Sequence, residues 1–297
     1  MHSEIQQFLS QKRTRLSPQT VKAYESDLNR FCAFLQDKSI SEVTAQHIES
    51  FLKHIQDSSV VRKNAYDKSA NTARKLSTTR SFFKYLHRNG FIELDPTLKV
   101  EPIRVSNRVS EFLSPEEKQR LLEAIKRTAT PYYIERDMAI VQTFLYTGIR
   151  LRELVSLKVT CLDFEGQCIK VVRKGGDEDK ILLPNEAAKF LKAYLEVRPK
   201  SDIAYVFVSK RKRVTKDGYG ISPSEVYLII QKYLRKAGIT KEHLGVHSLR
   251  HTFATDLLRL NANLVQIKEL LGHKNIATTQ RYVHVEEKDL RKIINQL

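Results

Sequence analysis

Residues 100–112 read VEPIRVSNRVSEF, and this stretch divides the chain. It holds Pro102, has no helical period and carries few large apolar side chains. Proline and the residue before it favour extended or turn backbone, so a linker is expected at 100–112. Immediately beyond it, Ser114-Pro115-Glu116-Glu117 opens a helix. Serine followed three residues later by glutamate makes a capping box, and proline fits the first helical position. The expected layout is a unit at 1–99, the linker, and a second unit at 113–297.

Upstream of the linker only helices are legible. Ser17-Pro18 supplies a cap and a first-turn proline. Val21, Tyr24, Leu28, Phe31 and Leu35 then recur at three- and four-residue spacing, one face of a helix. A second helix follows Thr44, with Ile48, Phe51, Leu52 and Ile55 on its apolar face. A third spans 69–88, with Ala73, Leu76, Phe83 and Leu86 inward, and stops at Asn89-Gly90. With a short helix near 5–11, this predicts an all-α four-helix unit. Lys75, Arg80, Lys84 and Arg88 lie along its last helix.

Downstream the pattern is mixed. Helices are expected at 115–127, 132–146, 150–158, 185–197, 223–236, 248–259 and 264–271. Residues 168–173 and 181–183 are β-rich and flank Gly175-Gly176-Asp177, which predicts a hairpin. Residues 204–208 are a third strand candidate. Leu290, Ile293, Ile294 and Leu297 share helical spacing in a tail at 286–297. The second unit is therefore expected to be mainly helical with a small sheet.

The charge does not sort with these units. The 297 residues carry 51 Lys+Arg against 34 Asp+Glu, a net charge of +17. Residues 1–110 hold 18 basic and 11 acidic side chains, and residues 111–297 hold 33 and 23. An excess of one sign repels itself unless an anion answers it. Nucleic acid is the first candidate and an anionic membrane surface the second. No apolar run approaches the roughly 20 residues that a spanning helix needs, and no basic-then-apolar leader is visible. Cys32, Cys161 and Cys168 form no Cys-x-x-Cys pair and are expected to stay reduced, which fits the cytoplasm. The basic stretch at 210–216 is either a phosphate contact or a solvated loop.

Several familiar sites are excluded. Gly218-Tyr219-Gly220 lacks the third glycine of a dinucleotide fingerprint, and no P-loop is present. His247 and His251 are four apart, but Ser248 stands where a metalloprotease needs glutamate. No clustered carboxylates suggest a metal pair. Four pieces remain. They are residues 146–154 (YTGIRLREL), Arg173-Lys174-Gly175-Gly176, residues 246–251 (VHSLRH), and Leu270-Leu271-Gly272-His273 with Tyr282 nine residues on.

Together these pieces resemble the tyrosine recombinases, the phage integrase family. The resemblance lies in TGIRLREL, HSLRH and LGHKNIATTQRY, in that order. SPQTVKAYESDLNRF at 17–31 resembles the SAM-like core-binding domain of the same family, so the whole chain is covered. Size and layout look closest to Xer-type recombinases and compact mobile-element integrases. The resemblance implies a catalytic set of Arg150, Lys174, His247, Arg250, His273 and Tyr282. Arg150 and Arg250 would clamp the scissile phosphate, because guanidinium is always charged and donates two parallel hydrogen bonds. Tyr282 would attack phosphorus, His247 would take its proton, His273 would bond a phosphate oxygen, and Lys174 would protonate the leaving 5′ oxygen. Glu153 would orient an arginine.

The hairpin departs from the family pattern. Arg173 replaces a glycine, Asp177-Glu178-Asp179 makes the turn acidic, and the interval to Pro184 is about two residues longer. Lys180 and Arg173 are alternative proton donors. The resemblance further implies no cofactor and no metal. It implies double-stranded DNA with a specific site as partner, and a homotetramer on two sites, alone or with a second related recombinase. Relaxation of supercoils in the manner of a type IB topoisomerase, and silent DNA binding, are the alternative functions.

Overall fold

The computed structural model describes residues 1–36, 38–57, 65–105, 111–172, 178–199, 203–209, 220–241 and 243–272. The chain forms two compact units, Met1–Arg108 and Val109–Leu297.

Among its described residues, the first unit is built of four α-helices and two short 3-10 turns. They are α1 (His2–Arg13), α2 (Pro18–Leu35), α3 (Ala45–Asp57) and α4 (Ala65–Arg88). Ser17 caps α2 by accepting the Thr20 N–H at 3.2 Å. The expected face of α2 is inward: Val21, Leu28, Phe31 and Leu35 are buried, and Tyr24 stacks on Phe8 of α1. Helix α4 touches all three others. Phe82 meets Phe8 edge-on at 5.4 Å, and Phe83 meets Phe31 at 6.0 Å. Periodicity counts only one of these two phenylalanines as inward. Both are buried because α4 has neighbours on more than one side. The helix also begins at Ala65 rather than 69. Val100 is buried in this unit's core, and its carbonyl accepts Arg80 Nη2 at 2.7 Å.

The second unit is organised around α6 (Pro131–Thr147), which buries Met138, Ala139, Ile140, Val141 and Phe144. Around it pack α5 (Pro115–Thr128), α8 (Asn185–Val197), α9 (Pro223–Lys236) and α10 (Val246–Arg259). The expected capping box of α5 is present: Ser114 Oγ accepts Glu117 N–H, and Glu117 Oε2 accepts Ser114 N–H at 2.8 Å. The short α7 (Leu151–Val155) and α11 (Leu264–Leu271) complete the described helices. An antiparallel sheet runs in the order β1 (Leu162–Asp163), β2 (Cys168–Val172), β3 (Glu178–Leu182).

Two expectations are corrected here. Residues 204–208 are not a strand; Tyr205 forms only an isolated bridge to Lys158, and Leu162–Asp163 is the third strand instead. Val206, Phe207 and Val208 are fully buried, so the apolar run is real. Its carbonyls are met differently. Arg198 donates to the carbonyls of Ile203, Tyr205 and Val206 at 2.5, 2.7 and 3.0 Å. The segment then closes with Ser209 N–H on Gly220 O at 2.6 Å. Helix α7 stops at Val155 rather than 158, because the backbone of Leu157 and Val159 bonds to Val206 and Ala204.

Candidate active site

The site grows from two helix ends. Helix α6 ends at Gly148 in the left-handed conformation, φ +58°. A β-carbon there would lie 2.4 Å from Phe253 and 3.0 Å from Leu271, so the position demands glycine twice over. Helix α11 ends at Gly272, also at φ +58°. Left-handed caps turn the last carbonyls out of the helix, where the partial negative charge of the helix end favours cations.

Two arginines take up those carbonyls. Arg250, on α10 and 8% exposed, donates from Nη1 to Gly148 O and from Nη2 to Leu271 O at 2.6 Å. Arg150, the N-cap residue of α7, donates from Nη2 to Gly272 O at 2.9 Å. Leu271 and Gly272 are adjacent, and Gly148 is two residues before Arg150. Both guanidiniums therefore converge on the Leu271-Gly272 end of α11. Glu153 receives the Arg150 backbone N–H on Oε2 and its Nη1 on Oε1, each at 2.8 Å. This carboxylate sits at the first turn of α7 and holds Arg150 by main chain and side chain together.

His247 precedes Arg250 by three residues on the first turn of α10, so the two share a face. The helix begins at Val246 rather than 248, which is what puts His247 on it. The ring reaches solvent, yet the protein packed behind it, followed by the Arg250 charge, pushes its imidazole below the ordinary value. At neutral pH it is uncharged and able to accept a proton.

Of the six residues expected at the site, the structure brings together Arg150, His247 and Arg250. Lys174, His273 and Tyr282 lie outside the described residues, as do the basic stretch at 210–216 and the tail at 286–297. Strands β2 and β3 flank 173–177, the segment that contains Lys174. Among the described residues no group of three His, Cys, Asp or Glu could hold a metal ion, and no helix is long and apolar enough to cross a membrane. Motif reading finds the arginines but misses what holds them, namely the carbonyls of Gly148, Leu271 and Gly272. The available signal is a glycine just past each helix end.

These features define a class: a chain of two units, helical then mainly helical with a small sheet, carrying two arginines held at helix ends. Residues 111–289 match the phage integrase family, and residues 5–90 match the phage integrase N-terminal SAM-like domain. A tyrosine recombinase of Pseudothermotoga lettingae is 34% identical over 286 residues, spanning 95% of this chain and 93% of the relative. Tyrosine recombinase XerC of Thermodesulfovibrio yellowstonii is 35% identical, spanning 94% and 90%. The fold is that of the lambda integrase dimer bound to a COC′ core site, with TM-score 0.75 at 18% identity over 95% of this chain and 94% of that one. The chain belongs to the phage integrase family and is a tyrosine-type site-specific recombinase.

Proposed function

We propose that this recombinase cleaves and rejoins duplex DNA at a specific site through a 3′-phosphotyrosyl intermediate. The observation that carries the reading is the convergence of Arg150 and Arg250 on the adjacent carbonyls of Leu271 and Gly272, with Arg250 also on Gly148 O. Arg250 donates to the carbonyls of Gly148 and Leu271, and beside it Glu153 and Gly272 O hold Arg150, so both guanidiniums are fixed before an anion arrives. A phosphodiester gains negative charge as it is attacked, and preorganised donors are worth most at that moment.

The chemistry then balances as follows. Tyr282 Oη forms a bond to phosphorus, and the bond from phosphorus to the 5′ oxygen breaks. The phenol proton passes to His247, and Lys174 supplies a proton to the departing 5′ oxygen. His273 bonds a phosphate oxygen. The phosphotyrosyl link conserves the phosphodiester energy, so a 5′-hydroxyl from another strand reverses the step without ATP. Four subunits on two sites would exchange strands in turn through a Holliday junction. An apolar groove of about 620 Å³ in the second unit, floored by Leu122, Leu145, Phe253 and Leu257, supports docking of the 286–297 tail of a neighbouring subunit.

The test is a nicked suicide duplex that carries the chain's own site. A covalent protein–DNA adduct that is lost in Tyr282→Phe supports the reading. Absence of an adduct with wild-type protein favours silent binding, and relaxation of supercoils without recombinants favours the topoisomerase-like alternative. Removing residues 286–297 is expected to reduce recombination more than cleavage; unchanged recombination would sink the tail assignment.

A further inference from the structure

The helical unit holds a second cluster of opposed charges, away from the residues above. Asp27 on α2 is 4% exposed, and Lys75 on α4 is 3% exposed. Lys75 Nζ donates to Asp27 Oδ1 at 2.7 Å, and Thr78 donates to Oδ2 at 3.2 Å. Arg74 completes the cluster, with Nη2 on Oδ1 at 2.9 Å and Nη1 on Oδ2. Its side chain is 49% exposed.

The formal charges do not cancel. Two cations share one carboxylate, which leaves one positive charge. Lys75 is sealed inside and, among the described residues, has no other ion pair, so within this cluster the excess reaches solvent through Arg74. A buried pair alone needs one cation, and a second buried cation costs desolvation free energy. The excess makes physical sense if an external anion meets it.

The surroundings fit such an anion. From Lys68 to Arg88 helix α4 contains no Asp or Glu. Its solvent-facing stripe runs Arg74, Ser77, Ser81, Lys84, Arg88 at helical spacing, with Ser81 half-buried and the rest exposed. Small hydroxyls between cations let a phosphate backbone come close. An uncompensated charge favours a charged phosphate over a neutral base edge.

We propose that Arg74 is a backbone-phosphate contact of the helical unit, aimed by Asp27 and left with net charge by Lys75. Arg74 is the contact; Asp27 and Lys75 are positioning residues. The proposal rests on the DNA reading above and gives it a site in the first unit.

The test is a salt titration of the full chain binding a short random-sequence duplex and, in parallel, a duplex carrying its own site. Each phosphate contact adds about 0.9 to the slope of log affinity against log salt. Arg74→Ala is expected to lower the slope by about that amount on both duplexes. Lys75→Met leaves Arg74 and Asp27 as a neutral pair and should also lower the slope, although Lys75 is buried. Asp27→Asn combined with Lys75→Met restores one net positive charge and should restore the slope. A purely structural role for the cluster would not follow charge in this way. Arg74→Ala with the wild-type melting temperature and slope overturns the proposal. A loss confined to one sequence overturns the phosphate assignment in favour of base reading. If the wild-type chain binds neither duplex, the DNA reading fails with it.

Discussion

Arg74 in the helical unit and Arg250 in the second unit are held in opposite ways. Arg74 is aimed by a carboxylate, which orients it but takes its charge. Lys75 must then stand behind the pair for any charge to remain. Arg250 is aimed by two carbonyls at helix ends, which orient it through their partial charges. A carbonyl cradle keeps the full cation but depends on backbone geometry. A carboxylate cradle tolerates backbone drift but needs a second cation. The same side chain thus has two settings, which suit the two tasks proposed above: fixed charge at a reacting phosphate, and adjustable contact along a backbone.

Arg250→Lys strikes hardest at this contrast. An ammonium keeps the charge but lacks the planar fork that spans Gly148 O and Leu271 O. Adduct formation on the suicide duplex is expected to fall about 100-fold or more, comparable to loss of a preorganised donor. Duplex binding should change far less. Near wild-type cleavage would break the idea that the fork matters.

Gly148→Ala tests the backbone half of the contrast, with Gly90→Ala as its control. Both glycines have positive φ, +58° and +73°. Only Gly148 would also collide with a neighbour, since nothing lies within 4 Å of a β-carbon on Gly90. Gly90→Ala should cost roughly 1 kcal/mol of conformational strain, and Gly148→Ala about 2–3 kcal/mol with a matching loss of cleavage. Thermal melts of both variants measure this. Equal losses would show that Phe253 yields freely.

His247 sharpens the contrast through pH. Its folded-state pKa lies below the ordinary 6.5 because burial and Arg250 disfavour the cation. As pH falls past 6.5, the unfolded chain binds a proton that the folded chain resists. Stability should therefore decline on the acid side of 6.5 and recover above it. Cleavage should hold at neutral pH and drop only below His247's lowered pKa. His247→Gln should flatten its part of both profiles; unchanged profiles would place the titrating group elsewhere.

The smallest effect is expected at Glu153→Gln. The amide keeps the size and one acceptor but weakens the charge-assisted bond to Arg150. A several-fold loss of cleavage rate, with binding intact, is the expected outcome. No loss would show that Gly272 O alone orients Arg150.

Local chemistry was legible wherever sequence neighbours decide structure. Ser17, Ser114 and Glu117 mark helix starts through side-chain oxygens a few residues from their partners. Arg150 with Glu153 is legible for the same reason. What could not be read comes from distant pairing. Lys75 counts as one more basic residue on a helix until Asp27, 48 positions away, is placed beside it. Residues 204–208 look like a strand because they are apolar with two valines, yet the Arg198 side chain, rather than a neighbouring strand, takes up the carbonyls of Tyr205 and Val206. The cradle of Arg250 is main chain, which no residue identity spells out beyond two glycines.

Arg198 and the bond from Ser209 to Gly220 have a practical consequence. Together they clasp both ends of the stretch that contains the basic residues at 210–216, independently of what lies between. Gly220 is part of the clasp, since a β-carbon there would lie 2.4 Å from Phe207 O. Doubling the length of a closed loop adds only about 0.6 kcal/mol of entropy cost. A change in the length of this segment is therefore expected to cost little stability.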